Sequence, residues 1–372
     1  MAESTRLVDL VHARVDEFVS DRASILTSVS TELDPLLQIS RRFLSGGKRF
    51  RALFCYWGWQ AVSGEPEGFD PFADEGGPEH LDAVVSVAAA LEIFHAAALV
   101  HDDIIDNSDT RRGAPAAHRA FEALHLQGGW SGDPEGFGRA SAILLGDLLL
   151  GWSDELLDEG IAELPRAEAR RARSEFNLMR TEVTAGQYLD ILEEQAWPSR
   201  AESEMRSRAE TVIVYKSAKY SVLAPLVIGA ALAGGTDAQL AALRTFGLPL
   251  GTAYQLRDDL LGVFGDEQLT GKPSGDDLRE GKRTMLVAIA RERMQPGQRR
   301  LLDELLGDPD LDAAQVRMLQ STIRASGAVD EVEALIARQV VRAITAVNDA
   351  PLSRRARSEL VALAETVTAR TA

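Results

Sequence analysis

Three carboxylates, Asp102, Asp103 and Asp106, fall within five positions, and two adjacent arginines, Arg111 and Arg112, follow them. They end a long apolar run, where a solvated charged face is out of place. Like charges this close are unfavourable unless something positive joins them. Aspartate oxygens suit Mg²⁺, which commonly binds through one or two carboxylates plus substrate phosphates. The forked donors of arginine match phosphate oxygens. The segment reads as one built to hold a metal-bound polyphosphate. Helical spacing puts Asp102 and Asp106 on one face, a turn apart, with Asp103 about 100° around.

A second acidic pair, Asp258 and Asp259, also ends an apolar stretch, and Gln255 lies three and four residues before it. Alone, such a pair is common; beside the first cluster it gains weight. Cations are spread along the chain. Gly46-Gly47-Lys48-Arg49-Phe50-Arg51 places Lys48 and Arg51 three apart on an opening helical turn, where backbone N–H groups add to anion binding. Lys216 and Lys219 precede an apolar helix, and Lys272 and Lys282 sit in a glycine-rich connection that could close over a phosphate. Taken singly, each basic pair reads more readily as surface. His95 lies seven residues before Asp102, two turns up the same face; a core histidine and a phosphate contact both fit it. No Ser-His-Asp arrangement, dinucleotide fingerprint or Walker loop stands out.

The elements that must position these groups are helices. Leu7, Leu10, Val11, Val15, Phe18 and Val19 form an apolar stripe at three-to-four spacing. Residues 81–106 are apolar and alanine-rich, as a long helix demands. Similar segments run from about 138 to 160, 165 to 194, 202 to 220 and 237 to 262, and residues 311–370 read as three more helices. Residues 222–235 are too short for a bilayer and read as a buried core helix. Sustained period-two alternation is nearly absent. The expectation is one all-α domain over 1–372. Residues 63–80 and 127–138, rich in Gly, Pro and acid, are expected as loop insertions, and 263–283 as a long mobile connection.

Apolar residues make up 45% of the chain, enough for a sizeable core, and the formal net charge is −17. That balance argues against general nucleic-acid binding and against adhesion to an anionic membrane. Cys55 is the only cysteine, so no intrachain disulfide or cysteine-rich zinc site is available. No signal peptide is visible, and a cytoplasmic location fits.

The chain resembles the trans-isoprenyl diphosphate synthases, the polyprenyl synthetase family, and most of all its geranylgeranyl diphosphate synthases. The resemblance runs from about Ser45 to Thr284 and rests on ordered motifs: Gly46 to Arg51, Asp102 to Asp106 with Arg111-Arg112-Gly113, Gln187 to Asp190, Lys216-Ser217, Gln255 to Asp259, Lys272 and Lys282. It implies an isoprenoid-synthase-type helical bundle around a deep central cavity, and a homodimer. It implies Mg²⁺, three ions per active site, held by Asp102 and Asp106 on one wall and Asp258 on the other, with Asp103 supporting and Asp259 beside them. Arg111, Lys216, Ser217, Gln255, Lys272 and Lys282 would hold an allylic diphosphate. Lys48, Arg51, His95 and Arg112 would hold isopentenyl diphosphate. The reaction implied is head-to-tail condensation of isopentenyl diphosphate with a C5–C15 allylic diphosphate.

Two departures bear on that reading. The second motif of the family often ends in a third aspartate, but Gly262 stands here, with Asp266 four residues later. Asp266 would substitute if the helix continued. Ser217 stands where threonine is frequent. Product length follows from the helix before Asp102. One turn is about 5.4 Å, comparable to one isoprene unit. Ala97 and Ala98 leave the first step open, and Phe94 is the first bulky residue behind them, with Leu91 beyond. The expected product is therefore C20. A class I terpene cyclase shares the metal logic but needs no second diphosphate site, which Lys48, Arg51 and Arg112 would be. A non-catalytic partner subunit is the other rival; the intact first motif speaks against it and Gly262 keeps it open.

Overall fold

The computed structural model describes residues 2–64, 80–266 and 274–368. It is all-α, apart from one two-residue β-hairpin among the described residues. The helices in order are α1 (Ala2–Val29), α2 (Asp34–Leu44), α3 (Phe50–Ser63), α4 (Leu81–Ile105), α5 (Ala117–Gly128) and α6 (Pro134–Ile161). Then come α7 (Arg166–Ala196), α8 (Met205–Val212), a π-helical segment (Ile213–Leu223), α9 (Ala224–Leu232) and α10 (Asp237–Phe264). The chain ends with α11 (Asp276–Glu280), α12 (Met285–Arg293), α13 (Pro296–Leu305), α14 (Ala313–Ala325), α15 (Ala328–Asn348) and α16 (Arg354–Thr368). The three closing helices expected over 311–370 are α14, α15 and α16.

The chain forms two compact units: residues 1–173 with 228–235, and residues 174–227 with 236–372. In the first, α4 is the central element and packs most extensively on α6, with α3 and α1 also against it. Alanine lets neighbouring helices approach closely, and Ala88, Ala89, Ala90 and Ala97 of α4 are fully buried. An 18-residue window of α4 is apolar enough to cross a membrane, but 78% of it is buried inside the protein. It is a core helix, and it ends on the aspartates. A second stretch, Glu202–Leu232, passes the same test and its window is 61% buried.

In the second unit α10 is central, packed on α15 and on the π-helical segment. A capping box starts it: Thr236 Oγ1 accepts from Gln239 N and the Gln239 side chain accepts from Thr236 N. Leu256, Leu260 and Val263 of α10 share one apolar cluster with Leu278, Leu286, Ile323, Val332 and Ile336.

Several expectations need correcting. Residues 127–138 are not one loop: α5 runs through Gly128, and α6 begins at Pro134, with Asp133 capping it by accepting from Glu135 N and Gly136 N. Proline at the first position and an aspartate cap are start signals that a count of glycine and proline obscures. Most of the expected insertion at 63–80 lies outside the described residues, as do Lys272 and the middle of the 263–283 connection. The described ends of that connection are ordered into α10 and α11. The stretch read as one helix over 202–220 changes from α to π winding at Ile213.

Candidate active site

The site residues of the first unit gather at the end of α4. Asp103 is fully buried, and its Oδ1 accepts from Arg111 Nε at 2.8 Å and also from Arg111 Nη2. Arg111 Nη2 lies 3.6 Å from Asp102 Oδ2. Asp102 and Asp106 are half-buried, and Asp106 closes the helix by donating its N–H to Asp102 O at 2.8 Å. The helix therefore sorts its three carboxylates: Asp103 faces inward to a guanidinium, and Asp102 and Asp106 stay accessible.

A hairpin sets the two arginines. Thr110–Arg111 pairs with Ala114–Pro115, and the connecting residues Arg112 and Gly113 both have positive φ, 54° and 73°. A two-residue hairpin of type I′ demands this. It sends Arg112 back toward the Gly46-Gly47 loop, where Arg112 Nη1 donates to Ser45 O at 3.0 Å. A Cβ on Gly47 (φ 87°) would sit 3.2 Å from Arg112 Nη2, so glycine serves both the backbone and the neighbour here. A cavity of about 220 Å³ lies between Arg42, Ser45, Leu99, Arg111 and Arg112.

Lys48 is exposed and precedes α3; it is not on an opening helical turn as expected. The cause is Arg49, which takes the left-handed conformation (φ 50°) at the helix N-cap. Arg49 is 4% exposed and is held there by its side chain. Its Nη1 donates to Glu92 Oε2 at 3.3 Å, its Nε to His12 Nε2 at 3.0 Å, and its Nη2 to Leu44 O. Glu92 Oε1 also accepts from Ala52 N at 3.1 Å, satisfying one of the open N–H groups of α3. Glu92 stands one turn before His95 on α4. This network ties the Lys48–Arg51 loop to the helix that carries His95. Burial, then Arg51, Arg112, Arg111 and Arg49, hold the His95 imidazole well below its usual range, so it is neutral at pH 7. Phe94 and Ala97 are buried in the same helix, and Ala98 is half-buried on the turn between Phe94 and Asp102.

The site residues of the second unit gather on three elements. Lys216 and Ser217 lie on the π-helical segment, which is flanked by two glycine notches. A Cβ on Gly186 of α7 would meet Lys216 N at 2.3 Å, and one on Gly251 of α10 would meet Ala218 O at 2.5 Å. Backbones approach this closely only where glycine stands. The π winding is a feature that the sequence analysis missed; such windings mark functional positions frequently. Lys216 Nζ pairs with Asp190 Oδ2 of α7, and Lys219 Nζ with Glu182.

On α10, Gln255 Nε2 donates to Asp259 Oδ1 at 2.8 Å. Asp258 is exposed, and Asp259 is 4% exposed, with its Oδ2 lacking a hydrogen-bond partner. Burial raises the Asp259 carboxyl well above its usual range; Gln255 opposes this, and Asp277, Asp258 and Asp190 add to it. Three further carboxylates thus oppose its ionisation. Lys282 Nζ pairs with Glu280 at 2.9 Å. Asp266 lies beyond the end of α10, whose C-cap is Gly265, so the helix does not carry it to the third position of the motif.

No three His, Cys, Asp or Glu side chains converge as a closed metal cage among the described residues. The donor sets nevertheless suit Mg²⁺. Asp102 and Asp106 in the first unit and Asp258 in the second each offer accessible carboxylate oxygens, and substrate phosphates would supply the remainder. The buried, unpartnered oxygen of Asp259 in an acidic corner is what a nearby cation would relieve.

The polyprenyl synthetase family profile matches residues 34–323, which include every motif described above. The chain belongs to the polyprenyl synthetase family. It is a trans-prenyl diphosphate synthase, that is, a prenyltransferase. Its fold is similar to the crystal structure of a geranylgeranyl pyrophosphate synthase from Corynebacterium glutamicum, complexed with isoprenyl diphosphate and magnesium. The TM-score is 0.89 at 37% identity, covering 98% of this chain and 99% of that one. A short chain isoprenyl diphosphate synthase from Methanothermobacter thermautotrophicus is 31% identical over 297 residues, 79% of this chain and 77% of its own length. A geranylgeranyl diphosphate synthase from Sulfolobus acidocaldarius is 29% identical over 295 residues, 79% of this chain and 78% of its own.

Proposed function

We propose that the protein condenses isopentenyl diphosphate with a C5–C15 allylic diphosphate, head to tail, to give all-trans geranylgeranyl diphosphate. The observation that carries this reading is the pair of anion-binding groups around α4. Asp102 and Asp106 are presented beside Arg111, while Arg112 turns back to Ser45 and joins Arg51 in depressing the neutral His95 imidazole. A cyclase has one diphosphate to hold; two adjoining binding groups suit two.

The chain acts as one polyprenyl synthetase domain over 1–372, with a deep central cavity for the growing chain. Asp102, Asp106 and Asp258 would hold Mg²⁺, three ions per active site. When bound, magnesium supplies positive charge against the departing pyrophosphate. Arg111, Lys216, Ser217, Gln255, Lys272 and Lys282 bind that diphosphate, and Asp103 fixes the direction of Arg111. Lys48, Arg51, His95 and Arg112 orient isopentenyl diphosphate.

The allylic C–O bond breaks, and its electron pair leaves with pyrophosphate. The double bond of isopentenyl diphosphate attacks the allylic cation, and one proton is lost to restore a double bond. The products are pyrophosphate and a chain longer by five carbons. No protein nucleophile takes part. The growing tail runs back along α4 past Ala98 and Ala97 to Phe94. The enzyme works as a cytoplasmic homodimer.

The test is pyrophosphate release from purified protein with Mg²⁺. Release should require the allylic and isopentenyl substrates together and should stop with chelator. Release from geranylgeranyl diphosphate alone, with no isopentenyl diphosphate, would favour a cyclase. No release with any primer would favour a non-catalytic subunit.

A further inference from the structure

Arg49 holds the backbone of the glycine loop in a conformation that few side chains adopt. Its φ of 50° and ψ of 38° lie in the left-handed region at the N-cap of α3. A residue other than glycine stays there only when its surroundings over-determine it. These two angles fix how Lys48, outside the helix, stands to Arg51, in its first turn. The surroundings are three acceptors on three different helices. Leu44 O ends α2, Glu92 Oε2 belongs to α4, and His12 Nε2 belongs to α1.

A carbonyl and a carboxylate are acceptors by constitution. His12 is the one of the three whose role can be reversed. It accepts from Arg49 Nε at 3.0 Å, which requires an Nε2 without a proton; a protonated imidazole has two donors and no acceptor. Protonation would turn this acceptor into a second cation beside a guanidinium that is 4% exposed. The charged groups that act on the ring are Arg49 at the start of α3, Glu92 from α4, and Asp9 and Asp16 of α1 itself, one turn to either side. Burial, then Arg49, lower the pKa of His12 from its usual value, against the opposing effect of Asp16, Asp9 and Glu92. The ring is therefore an acceptor at neutral pH, and it changes role only as the pH falls below the ordinary histidine range. His12 lies outside the stretch that the family profile matches.

We infer that His12 is a positioning residue for isopentenyl diphosphate: as a neutral acceptor it locks Arg49 and with it the Lys48–Arg51 loop, and its protonation loosens that loop and weakens the isopentenyl site. The inference rests on the proposed assignment of Lys48, Arg51 and Arg112 to isopentenyl diphosphate. Arg111, assigned to the allylic diphosphate, is held by Asp103, so the allylic side should not follow His12.

The test compares wild type, His12→Gln and His12→Leu as full chains. Each is titrated calorimetrically with isopentenyl diphosphate, without metal, at about pH 8 and at about pH 5.5, on either side of the ordinary histidine pKa. Glutamine brings an amide oxygen to the place of Nε2, an acceptor that does not titrate; leucine keeps apolar bulk and removes the acceptor. Protonation of the diphosphate affects all three proteins alike, so the ratio of Kd values at one pH is the quantity read.

At about pH 8, wild type and His12→Gln should agree, and His12→Leu should bind about 10-fold more weakly, the loss expected for a hydrogen bond to a charged group. At about pH 5.5, wild type should have moved toward His12→Leu, while His12→Gln stays about 10-fold tighter than His12→Leu. In steady state the same pattern should appear in KM for isopentenyl diphosphate, with kcat and KM for the allylic primer unchanged. Thermal unfolding at both pH values identifies a variant that has not folded. If His12→Leu is one, the comparison of wild type with His12→Gln decides alone. Wild type and His12→Gln that stay together at both pH values overturn the inference, as does a folded His12→Leu that binds like wild type at the higher pH. Arg51→Gln separates the two levels of argument. If it binds isopentenyl diphosphate as wild type does, the assignment of this loop to that substrate fails, whatever His12 does.

Discussion

Asp103 and Arg111 form a buried ion pair eight residues apart, with Asp103 fully buried and Arg111 Nε 2.8 Å from its Oδ1. The middle carboxylate of the motif therefore serves the arginine, and its neighbours are left for a ligand. Two charges so placed make an uncompensated charge when one is removed. Asp103→Ala should lower unfolding free energy by about 3 kcal/mol or more, and Asp102→Ala by about 1 kcal/mol or less. Denaturant titrations of both variants check this. Equal costs would contradict the division of labour within the motif.

Gly47 answers to two constraints at once, a φ of 87° and Arg112 Nη2 at 3.2 Å from its missing Cβ. Gly47→Ala should therefore cost about 1 kcal/mol in stability and displace Arg112. The proposed role of Arg112 is in isopentenyl diphosphate binding. KM for that substrate should rise about 10-fold, equivalent to about 1.4 kcal/mol, while KM for the allylic primer changes little. Steady-state kinetics with each substrate varied in turn reads the difference.

The neutral state of His95 gives a pH dependence with a definite sign. Its folded-state pKa is depressed by burial and then by Arg51, Arg112, Arg111 and Arg49. Below about pH 6.5 the unfolded chain binds a proton that the folded site refuses. The contribution of His95 to stability is thus complete above that pH and is lost as pH falls toward the depressed value. Tm measured from about pH 7.5 to 5.5 should drop more steeply for wild type than for His95→Gln. Parallel curves would mean that the imidazole is not held neutral by its surroundings.

Phe94 is the proposed floor of the tail-binding channel. Phe94→Ala should shift the products beyond C20, with a stability cost of about 3–5 kcal/mol from the cavity left behind. Phe94→Leu keeps more of the volume and should give a smaller shift in the same direction at lower cost. Chromatographic sizing of the prenyl chains after phosphatase treatment reads both. An unchanged distribution in two folded variants would place the floor elsewhere.

Much of this site is legible in the sequence because it depends on local spacing. Asp102, Asp103 and Asp106 declare their relative phases through the helical repeat, and the apolar alanine-rich run before them declares α4. The three closing helices show in their periodicity for the same reason. The parts that stay hidden are set by long-range approach of backbones. Gly186 and Gly251 read as ordinary helix residues until the π-helical segment lies against them. Gly262 reads only as a departure from the motif until the Asp277 carboxylate, fifteen positions later, is found where its Cβ would project. Lys48 falls outside α3 because Arg49 adopts a left-handed conformation, and the partners that hold it there, His12 and Glu92, are 37 and 43 residues away. The start of α6 is an intermediate case: Asp133-Pro134 carries the local signal, but the surrounding glycines mask it.

The most direct test of the account is product analysis with and without metal. Purified protein is incubated with isopentenyl diphosphate and a five-, ten- or fifteen-carbon allylic primer, with Mg²⁺ or with chelator, and the prenyl chains are sized. The account predicts a twenty-carbon diphosphate from every primer that is accepted, formed only when Mg²⁺ is present. Elongation that continues in chelator, or a cyclised hydrocarbon formed without isopentenyl incorporation, would contradict it.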